Sequence, residues 1–366
     1  MSRPKRIGVL TSGGDCAGLN AVLRAVVLRA AGHYGWQVVG IRNGTSGLIN
    51  RPVEAETLDL GVDLFDGTLL RRGGTILGTT NKGDPFDYPL SDGRHQDRAV
   101  EVIEGYRQLD LDALIGIGGD GSQAILRRLA QQGGIDLVTI PKTIDNDLGH
   151  TEVSIGYATA VKVATDALDQ LQPTAASHQR VMVLEVMGRD AGHIAIAAGI
   201  AGGADIILIP EISYSMAGIA AKIESLKAGG RNFALVVVAE AVKTESGAAV
   251  KQVQAAGAVN YGGIGHYLAA RIAEVTGSET RVTVLGHLQR GGMPTDRDRL
   301  MASIFGVHAV DLIAAGKFDR MVAWSGRQVI DIPIIEAIAG YKAVDLDGPL
   351  VRTARGLGVY LGEFSS

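Results

Sequence analysis

Short apolar runs alternate with longer amphipathic segments along most of the chain. The runs are typical of buried parallel strands, and the longer segments are typical of helices. The alternation therefore predicts an α/β protein with a doubly wound parallel sheet. One helix is expected to stop at Pro173. We predict strands at residues 7–10, 38–41, 114–117, 138–140, 181–186, 206–209, 233–239 and 282–285, and helices at residues 18–31, 98–108, 123–132, 157–172, 217–228, 261–275 and 298–315, with a further helix that ends at residue 201.

Glycine-rich turns with an acidic residue follow two of these strands. Residues 11–15 read Thr-Ser-Gly-Gly-Asp, and residues 118–122 read Gly-Gly-Asp-Gly-Ser. Glycine lets the backbone approach a bulky anion, and the N-terminus of the next helix presents free N–H groups to it. A bare phosphate would be repelled by Asp120, so we interpret this carboxylate as a holder of Mg²⁺ between itself and the phosphates.

A second motif follows the next strand, where residues 141–147 read Pro-Lys-Thr-Ile-Asp-Asn-Asp. It supplies a lysine (Lys142), a hydroxyl (Thr143) and two carboxylates (Asp145 and Asp147) at the end of a strand. Phosphoryl transfer needs a cradle for the donor, a metal holder and a base for the attacking hydroxyl. Together the two motifs predict a phosphoryl-transfer centre.

The first motif also fits the dinucleotide pattern G-x-G-x-x-G, through Gly116, Gly118 and Gly121. That interpretation needs an acidic residue at the end of the next strand, which instead ends in Pro141 and Lys142. We therefore prefer the phosphate interpretation. Each glycine-rich turn, taken singly, is also explained as a tight connection between a strand and a helix, but this does not explain the aspartates clustered at strand ends.

Composition narrows the class of protein. The chain has 366 residues, of which 46% are hydrophobic, enough for two domains or for one domain with two lobes. A formal net charge of −4 offers no basic excess for nucleic acid or for an anionic membrane. Cys16 is the only cysteine, which excludes an intrachain disulfide, and no apolar run is long enough to span a bilayer. We therefore expect a cytoplasmic protein without an apolar leader.

Further polar residues recur at or beside the ends of predicted strands. Arginine at such positions suits a phosphate monoester, because its guanidinium fork binds phosphate oxygens bidentately, and a glutamate suits sugar hydroxyls. Taken singly, each arginine is also explained as a surface ion pair, and the histidine as a core residue. A basic, glycine-rich stretch at residues 68–80 either lies over phosphates or is a solvated loop. The residues at strand ends are Arg180, Arg189, Glu240, Arg281, His287 and Arg290.

The sequence resembles the bacterial-type 6-phosphofructokinase family over nearly the whole chain, and within it the mixed-substrate group. The resemblance implies two doubly wound, Rossmann-like α/β lobes with the active site in the cleft between them. Residues 1–156 with about 291–335 would bind the nucleotide and Mg²⁺, and residues 157–290 with about 336–366 would bind fructose 6-phosphate. The motifs that carry the resemblance occur in order at residues 11–15, 118–122, 141–147, 178–180, 187–189 and 286–292.

The resemblance also implies roles for single residues. Asp145 would be the base for the sugar 1-hydroxyl, Arg189 would stabilise the transferring phosphoryl group, and Thr143 would assist them. Asp120 would hold Mg²⁺, and Asp147 would hold it through water. The nucleotide would contact Gly14, Asn81, Lys82, Gly119, Asp120, Gly121, Ser122 and Lys142. Fructose 6-phosphate would contact Thr143, Asp145, Met187, Gly188, Arg189, Glu240, His287 and Arg290, with Arg180 and Arg281 supplied by a neighbouring subunit of a homodimer or homotetramer.

Three positions bear on the phosphoryl donor. Asn81 stands where well-known ATP-dependent members have arginine, although Lys82 is adjacent, and Lys142 stands where such members usually have glycine. Lysine there is common in pyrophosphate-dependent members. Gly121, in contrast, lacks the aspartate that pyrophosphate-dependent members usually have, so it leaves room for an α-phosphate. We expect ATP as the donor, with ADP second and pyrophosphate last.

Two other functions compete with this one. A different kinase that shares the Gly-Gly-Asp-Gly loop could act on NAD or a lipid, but it gives no reason for Arg180, Arg189 and Arg290. A sensor of sugar phosphates or nucleotides would bind without turnover, but it needs neither a base at Asp145 nor an arginine for the transition state. Both alternatives therefore leave part of the pattern unexplained.

Overall fold

The computed structural model describes residues 5–253 and 259–363, and the chain divides into two units. The chain passes between them several times, and a short segment of four residues, Ile144–Asp147, belongs to unit 2 although its flanks belong to unit 1. The assignment of one ligand to each unit stays a prediction. Unit 1 comprises Met1–Thr143, Leu148–Thr159 and Arg290–Tyr341, and unit 2 comprises Ile144–Asp147, Ala160–Gln289 and Lys342–Ser366.

The strands fall largely on the short apolar runs of the sequence. The described residues form β1 (Arg6–Thr11), β2 (Gln37–Ile41), β3 (Thr57–Asp59), β4 (Tyr88–Pro89), β5 (His95–Gln96), β6 (Ala113–Gly118), β7 (Leu137–Pro141), β8 (Val181–Val186), β9 (Ile206–Leu208), β10 (Ala234–Ala239), β11 (Lys251–Val253), β12 (Val259–Tyr261), β13 (Thr280–Val284), β14 (Arg320–Ser325) and β15 (Gln328–Pro333).

The helices occupy most of the amphipathic segments between the strands. They are α1 (Leu19–Val27), α2 (Ser46–Ile49), α3 (Ala99–Gln108), α4 (Asp120–Gly133), α5 (Tyr157–His178), α6 (His193–Ala201), α7 (Met216–Ala228), α8 (Ile264–Thr276), α9 (Asp296–Ala314), α10 (Ile334–Ala339) and α11 (Pro349–Gly356), and a π-helical segment, Leu28–His33, continues α1.

Unit 1 is built around a seven-stranded sheet in the order β15-β14-β7-β6-β1-β2-β3. Its five central strands are parallel, and β3 and β15 are antiparallel edges. Helices α1 and α9 pack closely at Gly306 of α9. A Cβ added to this glycine would lie only 2.7 Å from the Ala25 Cβ of α1. Phe305 beside that glycine is fully buried. The strand order reverses between β1 and β6, which is where such sheets bind ligands.

Unit 2 contains a second sheet with four parallel strands in the order β13-β8-β10-β9. Strands β8 and β10 lie inside it, and every one of their residues is buried. Strand β13 forms an edge, and Arg281 and Val284 on it are exposed. Burial on both faces explains why the inner strands are uninterrupted apolar runs apart from Glu185. This sheet and the helices around it confirm the predicted α/β class.

The predicted boundaries of two helices, α5 and α8, were wrong, and the start of α4 is described with the candidate site below. Helix α5 does not stop at Pro173 but continues to His178 with the proline inside it. A proline inside a helix lacks an N–H and costs about 3 kcal/mol, yet the turn beyond it stays helical and buries Ala175. The helix predicted from residue 261 begins at Ile264, because Tyr261 ends β12. No helix within the described residues is long and apolar enough to cross a membrane.

Candidate active site

Three loops of unit 1 leave neighbouring strands at the same edge of the sheet. They follow β1, β6 and β7, which are adjacent and parallel. Backbone hydrogen bonds join the loops, since Ser12 N donates to Ile117 O at 2.9 Å and Lys142 N donates to Gly118 O at 3.0 Å. The two glycine-rich turns and the start of the second motif therefore lie side by side, as the carboxyl ends of parallel strands must.

Two cations contact the glycine-rich turn after β1. The Lys142 Nζ donates to Gly14 O at 2.5 Å, and Arg290 NH1 donates to Asp15 O at 3.2 Å. A Cβ on Gly14 would lie 2.9 Å from Arg290 NH1, and Gly13 has a positive φ of 82°. The backbone of Gly13 therefore favours glycine, and a side chain at position 14 would displace the Arg290 guanidinium. The structure brings together Gly14, Lys142 and Arg290 in this way.

The turn after β6 differs from the prediction, because helix α4 begins at Asp120 rather than near residue 123. Gly119 is its N-cap, so Asp120, Gly121 and Ser122 form the first turn instead of a loop. An exposed carboxylate there faces the positive end of the helix dipole. A Cβ on Gly121 would meet nothing within 4 Å, so the space in front of it is open.

The stretch at residues 68–80 is fastened to the turn after β1. Gly13 N donates to Thr80 O at 3.0 Å, and Thr79 Oγ1 donates to Gly13 O at 2.7 Å. The fully buried Asn20 of α1 holds the stretch from the other end, because its Nδ2 donates to Arg72 O at 3.0 Å. Because of these hydrogen bonds, the stretch at residues 68–80 is not a loop detached from the rest of unit 1. Asn81 and Lys82, which follow the stretch, are exposed.

The second motif is buried along its length. Lys142, Thr143, Asp145 and Asp147 are each at most 9% exposed. Ser154 Oγ donates to Thr143 O at 2.6 Å, and the backbone N–H of Lys342 donates to Asp147 O at 2.9 Å. Buried carboxylates are rare outside paired or functional positions. Two of them within three residues therefore mark this motif as a candidate site.

In unit 2 the predicted residues again follow neighbouring parallel strands. Met187, Gly188 and Arg189 follow β8, and Glu240 follows β10 beside it. Glu240 Oε1 accepts hydrogen bonds from Gly188 N at 3.3 Å and Arg189 N at 3.1 Å. The residue after these, Asp190, is exposed, as is Arg189. Hydrogen bonds from the Glu240 side chain thus connect three of the predicted sugar-phosphate residues: Gly188, Arg189 and Glu240 itself.

Burial raises the pKa of Glu240 to about 7, and the negative charges of Asp145 and Glu185 add to this shift. The hydrogen bonds from Arg189 N and Gly188 N act in the opposite direction. Glu240 therefore changes charge near neutral pH. Asp145 and Glu240, both in unit 2, are therefore close enough for their charges to interact.

Arg180 and Arg281 share one carboxylate. Arg180 Nε lies 2.8 Å from Glu279 Oε2, and Arg281 NH2 pairs with Glu279 Oε1. The hydrogen bond with Arg180 is the main cause that lowers the Glu279 pKa. Both arginines lie beside the exposed edge of the unit 2 sheet. His287, in the short 3-10 helix Gly286–Arg290 after β13, is exposed, so it is not a core histidine.

Four residues outside the predicted set support the site. Gln289 Oε1 accepts from Met187 N at 2.7 Å, and the Tyr261 hydroxyl donates to Asp190 Oδ1 at 2.7 Å. Asn20 and Glu279 act as described above. Gln289 lies inside the motif at residues 286–292, so the sequence motif could have identified it as a residue of the site. Asn20 and Tyr261 contact the site from distant parts of the chain, whereas Glu279 lies two residues from Arg281.

These features define an α/β protein whose candidate site lies at the carboxyl ends of parallel strands, where such folds bind ligands. A family model described as phosphofructokinase matches residues 6–313. The chain therefore belongs to the phosphofructokinase family, which confirms the resemblance found in the sequence.

Known proteins are similar to this chain over its full length. It is 65% identical over 363 residues to "ATP-dependent 6-phosphofructokinase 1" of Synechocystis sp., covering 99% of this chain and 100% of the relative. The same name is given to a Nostoc sp. protein that is 63% identical over 99% of this chain and 100% of that relative. Among solved structures, Pichia pastoris phosphofructokinase matches with a TM-score of 0.79 at 28% identity, over 93% of this chain and 36% of that longer chain.

A further solved structure agrees on the fold alone. The pyrophosphate-dependent phosphofructokinase from Marinobacter aquaeolei has a TM-score of 0.78 at 22% identity, and the match covers 99% of this chain and 93% of that one. Proteins named for either donor thus share this fold. The fold by itself therefore does not identify the donor.

Proposed function

We propose that this chain transfers the terminal phosphoryl group of ATP to the 1-hydroxyl of D-fructose 6-phosphate, giving fructose 1,6-bisphosphate and ADP. Its full-length identity of 65% to a protein named ATP-dependent 6-phosphofructokinase carries this proposal. The loops after β1, β6 and β7, which lie together at one sheet edge, support it. This reaction is a step of glycolysis.

The donor phosphates bind at the loops of unit 1. The N-terminus of α4 offers free N–H groups, and Lys142 and Arg290 place positive charge beside the turn after β1. The open space at Gly121 supports a nucleotide over pyrophosphate, because an α-phosphate needs that volume. Gly14, Gly119 and Ser122 line the same loops, and Asn81 and Lys82 follow the stretch fastened to them.

Asp120 would hold Mg²⁺ together with the donor phosphates, and Asp147 would hold it through water. Mg²⁺ in kinases is bound by one or two carboxylates together with substrate phosphates and waters, rather than by a complete protein cage. Within residues 5–253 and 259–363, no group of three or more His, Cys, Asp or Glu side chains forms such a cage. When bound, Mg²⁺ would offset the negative charge of the transferring group.

The chemical step uses the second motif and the loop after β8. Asp145 takes the proton from the 1-hydroxyl as it attacks, and burial keeps this base away from bulk water. Arg189 stabilises the charge that develops on the transferring phosphoryl group. Thr143, next to the buried segment, contacts the sugar and helps to orient it.

The sugar phosphate is held by residues of its own subunit and by residues of a neighbouring subunit. Met187, Gly188, Glu240, His287 and Arg290 bind it in one subunit. Arg180 and Arg281 reach it from the next subunit, so the working form is a homodimer or homotetramer with shared sites. The exposure of Arg281 on the edge strand β13 supports this arrangement.

A panel of donors tests the proposal. ATP, ADP, GTP and pyrophosphate are each supplied with fructose 6-phosphate and Mg²⁺, and formation of fructose 1,6-bisphosphate is measured. We expect the highest kcat/KM with ATP, and ADP as the lesser alternative. Robust turnover with pyrophosphate and none with ATP would overturn the assignment of the donor. No bisphosphate from any donor would overturn the proposed function.

A further inference from the structure

The loop that carries Arg189 is held at several points by side chains from other elements. Met187 N donates to Gln289 Oε1 at 2.7 Å, and Glu240 Oε1 accepts from the next two backbone N–H groups. Arg189 itself has a positive φ of 48°, a conformation that L-residues adopt only where their surroundings impose it. The direction of this arginine therefore depends on contacts made by its neighbours.

Tyr261 contacts Asp190, the residue that follows Arg189 in the chain. It is the last residue of β12, and its hydroxyl donates to Asp190 Oδ1 at 2.7 Å. The hydrogen bond with Asp190 is the main cause that raises the Tyr261 pKa, with burial and the charges of Asp190 and Glu240 adding to it. The phenol therefore keeps its proton at neutral pH and stays a donor.

We propose that Tyr261 is a positioning residue for Arg189. Its hydrogen bond to Asp190 restrains one end of residues 187–190. Gln289 and Glu240 restrain the rest of this loop through Met187 N and Arg189 N. Without this bond the exposed end of the loop has one restraint fewer, and the guanidinium loses part of its alignment with the transferring phosphoryl group. The inference rests on the proposed role of Arg189 in phosphoryl transfer.

The substitution Tyr261→Phe removes only the hydroxyl. We expect kcat with ATP and fructose 6-phosphate to fall about tenfold, since a hydrogen bond to a charged partner is lost. The KM for ATP should stay within about twofold, because the donor loops belong to other strands. Asp190→Ala should lower kcat to a similar extent. The double variant should be no slower than the slower single variant, because both remove one interaction.

A second background separates positioning from general damage. In an Arg189→Ala enzyme, Tyr261→Phe should lower the residual kcat by less than about twofold, because the residue acts through the missing arginine. Tyr360→Phe is the matched control: it also removes a hydroxyl bonded within unit 2, to Ser215, and should keep the wild-type kcat.

The outcomes distinguish this inference from the proposed function. Wild-type turnover together with unchanged kcat in both Tyr261→Phe and Asp190→Ala would overturn the inference alone. An equal tenfold loss in the Arg189→Ala background would also overturn it, since Tyr261 would then act independently of Arg189. Absence of turnover in the wild-type enzyme would overturn the proposed function, and the inference with it. If Tyr261→Phe fails to fold, the Asp190→Ala arm decides.

Discussion

Lys142 and Gly14 are joined by a hydrogen bond in which the buried ammonium donates to the carbonyl oxygen at 2.5 Å. Arg290 donates to the next carbonyl along the turn, that of Asp15. Two cations thus fix the same glycine-rich turn and place positive charge where donor phosphates are proposed to bind. Lys142 therefore serves the loop itself, and its presence does not require pyrophosphate as the donor.

Replacing Lys142 should weaken donor binding without changing the preferred donor. Lys142→Met keeps the length of the side chain but removes the charge and the hydrogen bond, so we expect the KM for ATP to rise about tenfold or more. Steady-state kinetics with ATP and pyrophosphate measure this. The control Lys162→Met loses only an exposed ion pair with Asp166 and should behave as wild type. A shift of preference towards pyrophosphate would contradict this interpretation.

An aspartate at position 121 should abolish the use of nucleotides. The added side chain meets open space, and a carboxylate suits the first turn of α4, so the fold should tolerate Gly121→Asp. Its charge and volume would oppose the donor phosphates, and we expect kcat/KM for ATP to fall by about a hundredfold or more. Gly61→Asp, also in open space, is the matched control. Activity with ATP within a few-fold of wild type would contradict the role of Gly121.

The raised pKa of Glu240 predicts a pH dependence of stability. Its folded-state value of about 7 exceeds the ordinary 4.5, so the folded protein binds the proton more tightly than the unfolded chain. Its contribution to stability is fully present below about pH 4.5 and is lost as pH rises through about 7. Thermal unfolding without substrates, from about pH 5 to about pH 8, measures this.

Glu240→Gln is the comparison for that measurement, since an amide cannot ionise. The melting temperature of the wild type should fall relative to that of Glu240→Gln as the pH rises across this range. Parallel pH profiles for the two proteins would show that Glu240 ionises at its ordinary pKa. The burial of this side chain would then have no electrostatic consequence.

Shared sites between subunits make a further prediction. Arg180→Ala and Asp145→Ser subunits should each be nearly inactive alone, since one lacks a sugar-phosphate ligand and the other a base. Hybrids purified through two different affinity tags should regain part of the activity, because some sites then combine intact residues. Verified hybrids without any recovery would contradict the shared arrangement, and oligomers of single variants serve as controls.

The strands and the site motifs were readable from the sequence because they depend on local patterns. Apolar runs marked β6 and β8, and glycine with aspartate marked the loops after β1 and β6. The start of α4 was missed because Gly119, Asp120 and Gly121 have low helix propensity, whereas Gly119 acts as the N-cap. Pro173 led us to end α5 too early. The helix continues through the proline and buries Ala175 beyond it, so this local signal did not decide where the helix ends.

The supporting residues were missed because long-range contacts leave no periodic signal. Tyr261 is 71 positions from Asp190, and Asn20 is 52 positions from Arg72, yet each hydrogen bond fixes a loop of the candidate site. The sequence around Tyr261 also continues into an amphipathic helix, which placed this residue in the wrong element. Such residues become visible only when the chain is folded.

The substitution Asp145→Ser tests the central claim most directly, that this chain performs phosphoryl transfer with Asp145 as the base. The measurement is kcat with saturating ATP, Mg²⁺ and fructose 6-phosphate, together with the KM for the sugar phosphate. Asp166→Asn, which alters only an exposed ion pair, is the control. We expect kcat to fall by roughly a hundredfold or more, with the KM for fructose 6-phosphate little changed, because the base acts in the chemical step. A kcat within a few-fold of wild type would contradict the account.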